Sequence, residues 1–226
     1  SYTYYVIAKN STGNRQSNTV TVAMPSAPTG PTVQGEPASL GVLWNPAYSG
    51  NYDSGRGGQV IDTIVIHTTE GRESNPTMTY QQSYNSAISW FKNSGSGVSA
   101  HYCISPTGEI TQMVALGDKA IHATYYNSRS IGVEMAGFAA DPGTWNPQNL
   151  AALENLVAYL ARKYGIQMVH PPGDANSYPD HWFTEKGLIG HSQVQPAPSY
   201  PRVFNGTSYS QKSDPSASSS SNYSPQ

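Results

Sequence analysis

The sequence has little charge and almost no cysteine. Only 12% of its 226 residues are charged and the formal net charge is −2, which excludes the strongly basic surface that nucleic-acid binding proteins carry. Cys103 is the single cysteine, so the chain cannot form an internal disulfide. No apolar run approaches the roughly 18 residues of a membrane-spanning helix. We therefore expect no nucleic-acid partner and no membrane span.

The first residues also lack an initiating Met and a charged-then-apolar leader. We therefore expect the chain to be a piece of a longer protein whose targeting information lies elsewhere. Aromatic residues are unevenly distributed by type, with 16 Tyr and only 4 Phe. Surfaces rich in Tyr and Asn suit neutral, hydroxyl-rich ligands such as glycans, although many proteins without such ligands share this composition.

Two alternating segments at the start, 2–9 and 17–24, predict a β-hairpin with a turn at 10–13. The pattern from Tyr4 to Gly13 resembles the last hairpin of a fibronectin type III module. We interpret residues 1–24 as the C-terminal remnant of such a module. The Pro-, Ser-, Gly- and Thr-rich residues 25–39 are typical of a linker.

Residues 40–215 have the pattern of one mixed α/β domain. Apolar, β-branched runs and a hairpin pattern predict strands, whereas apolar residues at helical spacing predict two helices. Asn146 is a suitable N-cap for the second helix, Pro147 suits its first turn, and Gly165 ends it. The predicted strands are 59–67, 99–105, 109–115, 130–137 and 187–191, and the predicted helices are 77–92 and 146–165. Residues 216–226 form a Ser-rich tail or linker that we expect to be disordered.

Two histidines end strand-like apolar runs, and a lysine and a carboxylate lie close together near the C-terminus. His67 follows DTIVI, His191 follows GLIG, and the later pair is Lys212 and Asp214. Strands deliver side chains rigidly to the edge of a sheet, where α/β folds usually bind their ligands. Two imidazoles and one carboxylate, with a fourth position open, form the ligand set of a catalytic zinc site. Scattered histidines can produce such a set by chance, so each could equally be structural.

Four motifs occur in order: TIVIHTTEG, VSAHYCISPTGEITQMVALGDKAIHA, NSRSIGVEMAG and LIGHSQV. Together they resemble the N-acetylmuramoyl-L-alanine amidase family, which includes AmpD, phage T7 lysozyme and the peptidoglycan recognition proteins. The resemblance covers residues 58–195 and extends toward 215. It implies an α/β fold with a mixed central β-sheet flanked by helices, and zinc-dependent cleavage of the amide between N-acetylmuramic acid and L-alanine in peptidoglycan.

The resemblance also implies a role for individual residues. The metal ligands of one Zn²⁺ would be His67, His191 and Asp214. Lys212 would stabilise the oxyanion, and Glu134 would orient or deprotonate the attacking water. The substrate groove would be lined by His122 and Asn127. Apart from the resemblance, the loop residue Tyr125 could stack on sugar or peptide and so bind substrate, although tyrosines are common in loops. A structural salt bridge is the alternative interpretation of Glu134, because an unpaired carboxylate in an apolar strand is costly.

The chain departs from the family pattern between His191 and Asp214, where the intervening segment is long. Such an insertion is tolerable because loop-closure entropy grows slowly with length. If Asp214 is not the third ligand, the nearest substitutes are Asp174, Asp180 and His181. At Ala100 the chain lacks the catalytic tyrosine of phage T7 lysozyme, so we interpret the neighbouring His101 as structural or supporting.

Three functional hypotheses follow from this resemblance. The first is a peptidoglycan amidase, an exported or cell-wall-associated hydrolase of the autolysin kind that acts as a monomer. The second is a peptidoglycan-binding module that has the fold but does not cut. The third is cleavage of a different amide by the same metal site.

Overall fold

A computed structural model of the chain describes residues 35–72, 74–172 and 186–194 in full, and elsewhere only the backbone of short strands. The first four are β1 (Thr3–Tyr4), β2 (Ile7–Asn10), β3 (Gly13–Gln16) and β4 (Val20–Thr21). β2 pairs antiparallel with β3, and β1 pairs antiparallel with β4. Asn10 is opposite Gly13 in the pairing of β2 with β3. The fibronectin-like assignment and the domain boundaries remain predictions.

A six-stranded mixed sheet forms the centre of the molecule. The next strands in chain order are β5 (Leu43–Trp44), β6 (Tyr52–Asp53), β7 (Thr63–Thr68), β8 (Tyr102–Ile104), β9 (Ile110–Gln112), β10 (Lys119–Ala120), β11 (Ser130–Met135) and β12 (Gly187–Gly190). The sheet order is β12-β7-β11-β8-β9-β5, and β6 pairs separately with β10. All neighbours in the large sheet are parallel except the β8–β9 hairpin. β13 (Arg202–Phe204) and β14 (Thr207–Tyr209) form a further antiparallel pair.

Two α-helices accompany the sheet. Helix α1 spans Tyr80–Lys92 and begins later than predicted because Thr79 and Gln82 form a capping box there. Helix α2 spans Pro147–Tyr164, with Asn146 as N-cap and Gly165 as a left-handed C-cap. Neither helix among the described residues is long and apolar enough to cross a membrane. The predicted fold class, a mixed central sheet flanked by helices, is confirmed.

Alternation along the central strands separates the apolar core from the candidate site. One face of the sheet packs against α2 through a single hydrophobic cluster that includes Ile64, Ile66, Ile131, Val133, Leu156 and Leu160. The intervening residues of β7 and β11 point to the other face because successive side chains of a strand alternate. Those residues include His67 and Glu134. The candidate site therefore lies on the face opposite α2.

The prediction that a strand begins at 59 is wrong at that end. β7 begins at Thr63, and Val60 is 74% exposed. Asp62 explains the boundary, since its carboxylate accepts a two-pronged hydrogen bond from Arg129, with both distances 2.8 Å. This ion pair holds the N-terminal ends of β7 and β11 next to each other.

Candidate active site

Three predicted site residues meet at one edge of the sheet. His67 is the fifth residue of β7, Glu134 is the fifth residue of β11, and His191 directly follows β12. The three strands are parallel, so their carboxyl ends coincide. Glu134 is in register with His67, and adjacent strands lie about 4.8 Å apart. The register therefore places a carboxylate and an imidazole side by side on the same face.

The two predicted histidine ligands are in contact. The ring centroids of His67 and His191 are 4.3 Å apart, with an angle of 63° between the ring planes. Both residues are buried, at 2% and 5% exposure. Glu134 is also buried. Burial, together with the nearby charge of Glu134, raises the pKa of the Cys103 thiol well above its usual value. The side chains of His67, His191 and Glu134 thus lie in water-poor surroundings, in which charges act strongly.

His122 joins this pair from the loop that precedes β11. Its Nδ1 lies 3.0 Å from His67 Nε2, and its Nε2 lies 3.2 Å from Ser130 Oγ. The ring packs directly over Gly132, where an added Cβ would lie only 2.6 Å from His122 Nδ1. Burial and the neighbouring charges of His67, His101, His191 and Arg56 lower the pKa of His122 well below its ordinary value. These surroundings favour the neutral form of the His122 imidazole.

The loop that carries His122 is held by its own side chains. Asn127 Oδ1 accepts hydrogen bonds from the backbone N–H groups of His122 (2.9 Å) and Ala123 (2.6 Å). The Tyr125 hydroxyl donates to the carbonyl of Val194, just after His191. Thr124 has a φ of +49°, a strained value for a β-branched residue that persists only where the surroundings fix the backbone. The structure thus gives Asn127 and Tyr125 supporting contacts within the protein.

A buried arginine lies behind this loop. The Arg56 guanidinium donates to the carbonyls of Leu116 (2.7 Å), Ser128 (3.2 Å) and Ser130 (2.9 Å), and to that of Asn127 at a longer 3.4 Å. Its Nη2 lies 2.6 Å from His101 Nε2. Desolvation lowers the pKa of Arg56 to about 10, so the side chain remains charged at neutral pH.

His101 is fully buried, in agreement with the prediction of a structural role. Its Nδ1 accepts a hydrogen bond of 3.0 Å from the N–H of Gly132, in the strand that carries Glu134. The ring centroids of His101 and His122 are 5.7 Å apart. His101 therefore connects the Arg56 cluster to the strand beneath His122.

The remaining predicted site residues, Lys212 and Asp214, lie outside the described residues, as do the substitutes Asp174, Asp180 and His181. Within the part of the chain that the structure describes, no group of three or more His, Cys, Asp or Glu side chains is arranged to hold a metal ion. The two imidazoles nevertheless suit Zn²⁺ chemically, since neutral histidine is a preferred zinc ligand. A zinc site built on these two histidines would need a third protein ligand, and Asp214 is the residue predicted to supply it.

Sequence reasoning missed Arg56 and Ser130. Arg56 lies in a Gly-rich turn, with positive φ at Gly55, Gly57 and Gly58, and this pattern signals only a turn. Its contacts reach residues 45 to 74 positions away, which no local pattern reveals. Ser130 begins an apolar strand and is indistinguishable from an ordinary strand residue in the sequence.

Replacing Gly132 with Ala is expected to reduce turnover about tenfold or more, since displacement of a catalytic constellation by about 1 Å can cost a factor of 100. The new methyl group would collide with the His122 ring, which must move away from His67. Steady-state kinetics with the substrate that the sequence resemblance implies would measure the effect. Gly117→Ala is the control, because a Cβ there meets nothing within 4 Å. Equal activity of both variants would contradict the expected displacement.

Acid is expected to destabilise the fold through His101. Burial, followed by the Arg56 guanidinium, lowers the pKa of His101 to about 3, whereas the unfolded residue titrates near about 6.5. Between these two pH values, His101 binds a proton in the unfolded state but not in the folded state. The stability that is present above about pH 6.5 is therefore lost as the pH falls toward about 3. This residue should contribute a slope of up to about 1.4 kcal/mol per pH unit.

Urea unfolding at a series of pH values would measure that slope. His101→Asn is the comparison, since an amide oxygen could still accept from the Gly132 N–H but does not titrate. The pH dependence of the free energy of unfolding should be smaller in the variant, by up to about 1.4 kcal/mol per pH unit. Identical slopes in the two proteins would rule out His101 as the source.

Comparison with known families provides the deciding observation. The model of the N-acetylmuramoyl-L-alanine amidase family matches residues 57–217. This stretch contains the histidine cluster, which is formed by His67, His122 and His191, and also the predicted site residues Lys212 and Asp214. The chain belongs to this family. The match also includes the segment after His191, as the resemblance in the sequence predicts.

Several individual proteins are similar to this chain. N-acetylmuramoyl-L-alanine amidase A of Achromobacter lyticus is 37% identical over 125 residues, which cover 55% of this chain and 63% of that relative. The chain thus matches less than two thirds of that relative's length. Among solved structures, the catalytic domain of XlyA is similar at 18% identity and a TM-score of 0.48, covering 68% of this chain and 85% of that one. The endolysin amidase LysCS of Clostridium intestinale is similar at 19% identity and a TM-score of 0.45, covering 69% and 84%.

Proposed function

We propose that the protein hydrolyses the amide bond between N-acetylmuramic acid and L-alanine in peptidoglycan, in a zinc-dependent reaction. The observation that carries the proposal is the contact of His67 with His191, with Glu134 in register beside His67, in a member of this amidase family. Peptidoglycan is the substrate and partner, and the site of action is outside the cell or at the wall. We also propose that the protein acts as a monomer.

His67, His191 and Asp214 would hold the zinc ion. When bound there, Zn²⁺ supplies Lewis acidity toward the scissile carbonyl and toward water. Two imidazoles and one carboxylate leave a net positive charge at the site, which favours a developing oxyanion. The buried position of both rings limits competing water and strengthens these electrostatic effects.

Glu134 would take a proton from a water molecule while the oxygen of that water attacks the scissile carbonyl carbon. The same carboxyl would then return the proton to the L-alanine nitrogen as the C–N bond breaks, so the base ends the cycle as it began. Lys212 would stabilise the negative oxygen of the tetrahedral intermediate. His122, Asn127 and Tyr125 would line the groove that positions the muramoyl group and the stem peptide.

Mass spectrometry of purified peptidoglycan treated with the protein tests this proposal. The expected products are glycan strands with unsubstituted muramic acid and stem peptides with a free L-alanine N-terminus. Elemental analysis should find about one zinc per chain, and activity should be lost after chelation and restored by Zn²⁺.

Each other outcome identifies a different function. A protein that binds the cell wall but releases no peptide would be a binding module on the same fold. Free termini at another residue would show cleavage of a different amide. Full activity after complete removal of metal would contradict zinc dependence.

A further inference from the structure

A row of hydrogen bonds leads from the backbone of Tyr126 to His67. Ser130 Oγ lies 2.8 Å from the Tyr126 carbonyl, His122 Nε2 lies 3.2 Å from Ser130 Oγ, and His67 Nε2 lies 3.0 Å from His122 Nδ1. A carbonyl oxygen can only accept, so the Ser130 hydroxyl donates its one hydrogen to Tyr126. Ser130 Oγ must then accept its second hydrogen bond, and the donor is His122 Nε2–H.

The position of the proton on His122 therefore determines the position of the proton on His67. A neutral imidazole carries a single N–H, so a proton on His122 Nε2 makes His122 Nδ1 an acceptor. The donor to that atom is His67 Nε2–H, and the lone pair of His67 is then on Nδ1. We propose that His122 and Ser130 are positioning residues that fix the tautomer of His67, so that Nδ1 is the atom presented to the metal. The identity of the metal rests on the proposed function.

The structure holds this relay rigidly at both ends. Arg56 Nη1 donates to the Ser130 carbonyl at 2.9 Å, which fixes the residue that starts the relay. The carboxamide of Asn127 fixes the backbone of His122, and Gly132 leaves only enough room for the ring to lie flat above the strand. Rotation of the His122 ring by 180° would put carbon atoms in place of both nitrogens and break both of its contacts in the relay.

Such a relay is useful to a metal site. Partners that accept the second N–H of a ligating histidine set its tautomer and ring orientation, and their loss typically costs a factor of about 10 to 100 in metal affinity. His122 acts here through His67, so its removal should change zinc binding as well as any contact with substrate. This effect distinguishes the proposed role from that of a residue that only lines the groove.

Nitrogen-15 NMR of the imidazoles in the metal-free wild-type protein at pH 8 tests the tautomers directly. Single histidine-to-glutamine variants assign the six histidines. His67 and His122 should each show a protonated Nε2 and an unprotonated Nδ1. A protonated Nδ1 on His67 would overturn the proposal.

Zinc affinity of Ser130 variants is the second test. Ser130→Ala removes the acceptor of the His122 proton and should weaken zinc binding about tenfold in competition with a chelator, with a change in the His67 nitrogen signals. Ser130→Thr keeps the hydroxyl and should restore both. Ser128→Ala is the matched control, because only the backbone carbonyl of Ser128 contacts Arg56.

Wild-type zinc affinity and unchanged His67 signals in Ser130→Ala would overturn the proposal. Its failure is separable from failure of the proposed function. A wild-type protein that cuts no peptidoglycan, yet shows the expected tautomers, would leave this proposal standing and remove the amidase activity. A fully active enzyme with the opposite His67 tautomer would do the reverse.

Discussion

Glu134→Gln is expected to lower kcat on peptidoglycan by a factor of about 10² to 10⁴, the usual contribution of general acid–base catalysis. Glutamine has nearly the same shape as glutamate, so it can occupy the same position in β11, in register with His67 and Cys103. It cannot accept the proton of the attacking water. Zinc content should remain at the wild-type level, because Glu134 is not among the proposed ligands.

The matched control is Glu154→Gln. Glu154 is an exposed carboxylate on α2, which packs on the opposite face of the sheet, so this variant should keep wild-type kinetics. Kinetics on purified peptidoglycan and elemental analysis would be measured on the same preparations. Full turnover by Glu134→Gln would remove Glu134 from the mechanism and favour the salt-bridge interpretation.

His67→Ala is expected to abolish both zinc binding and turnover. Loss of metal catalysis costs several kcal/mol of transition-state stabilisation, and about 4 kcal/mol corresponds to roughly a thousandfold in rate. His67 contacts both other histidines of the cluster, with ring centroids 4.3 Å from His191 and 5.1 Å from His122. Its removal therefore deprives the site of a ligand and of the group that holds the other rings in place.

His170→Ala controls for the loss of an imidazole elsewhere. His170 Nδ1 contacts the Leu188 carbonyl at 2.9 Å, but the ring is not part of the histidine cluster. This variant should retain about one zinc per chain and most of its activity. Stoichiometric zinc in His67→Ala would show that the metal, if required, binds elsewhere.

Much of the fold could be predicted because its signals are local. The apolar runs before His67 and around Glu134 indicated strands, and the caps Asn146 and Gly165 defined α2 closely. The sequence placed His67 and His191 at strand ends, and the structure brings the two rings together at one edge of the sheet. Their role as metal ligands stays a prediction. The strand boundary at Thr63 was not predictable, because it depends on the distant Arg129.

The support beneath the site could not be predicted, since it depends on register and on long-range contacts. The pairing of Glu134 with His67 follows from parallel strands whose order the sequence does not reveal. Arg56 contacts carbonyls more than 50 residues away, and backbone carbonyls have no sequence signature. The hydrogen bonds that Asn127 Oδ1 accepts from the loop backbone were likewise not indicated by the sequence, and the place of Asn127 in the groove stays a prediction.

The burial of Cys103 makes the protein well suited to site-specific labelling. Its thiol is fully enclosed and its raised pKa keeps it protonated, so maleimide reagents should not reach it in the native state. A cysteine introduced at Glu154 would then be the one reactive position among the described residues. A fluorophore attached there would lie on the side of the sheet away from the histidines, so binding of the protein to intact sacculi could be followed without a label beside His67 and His191.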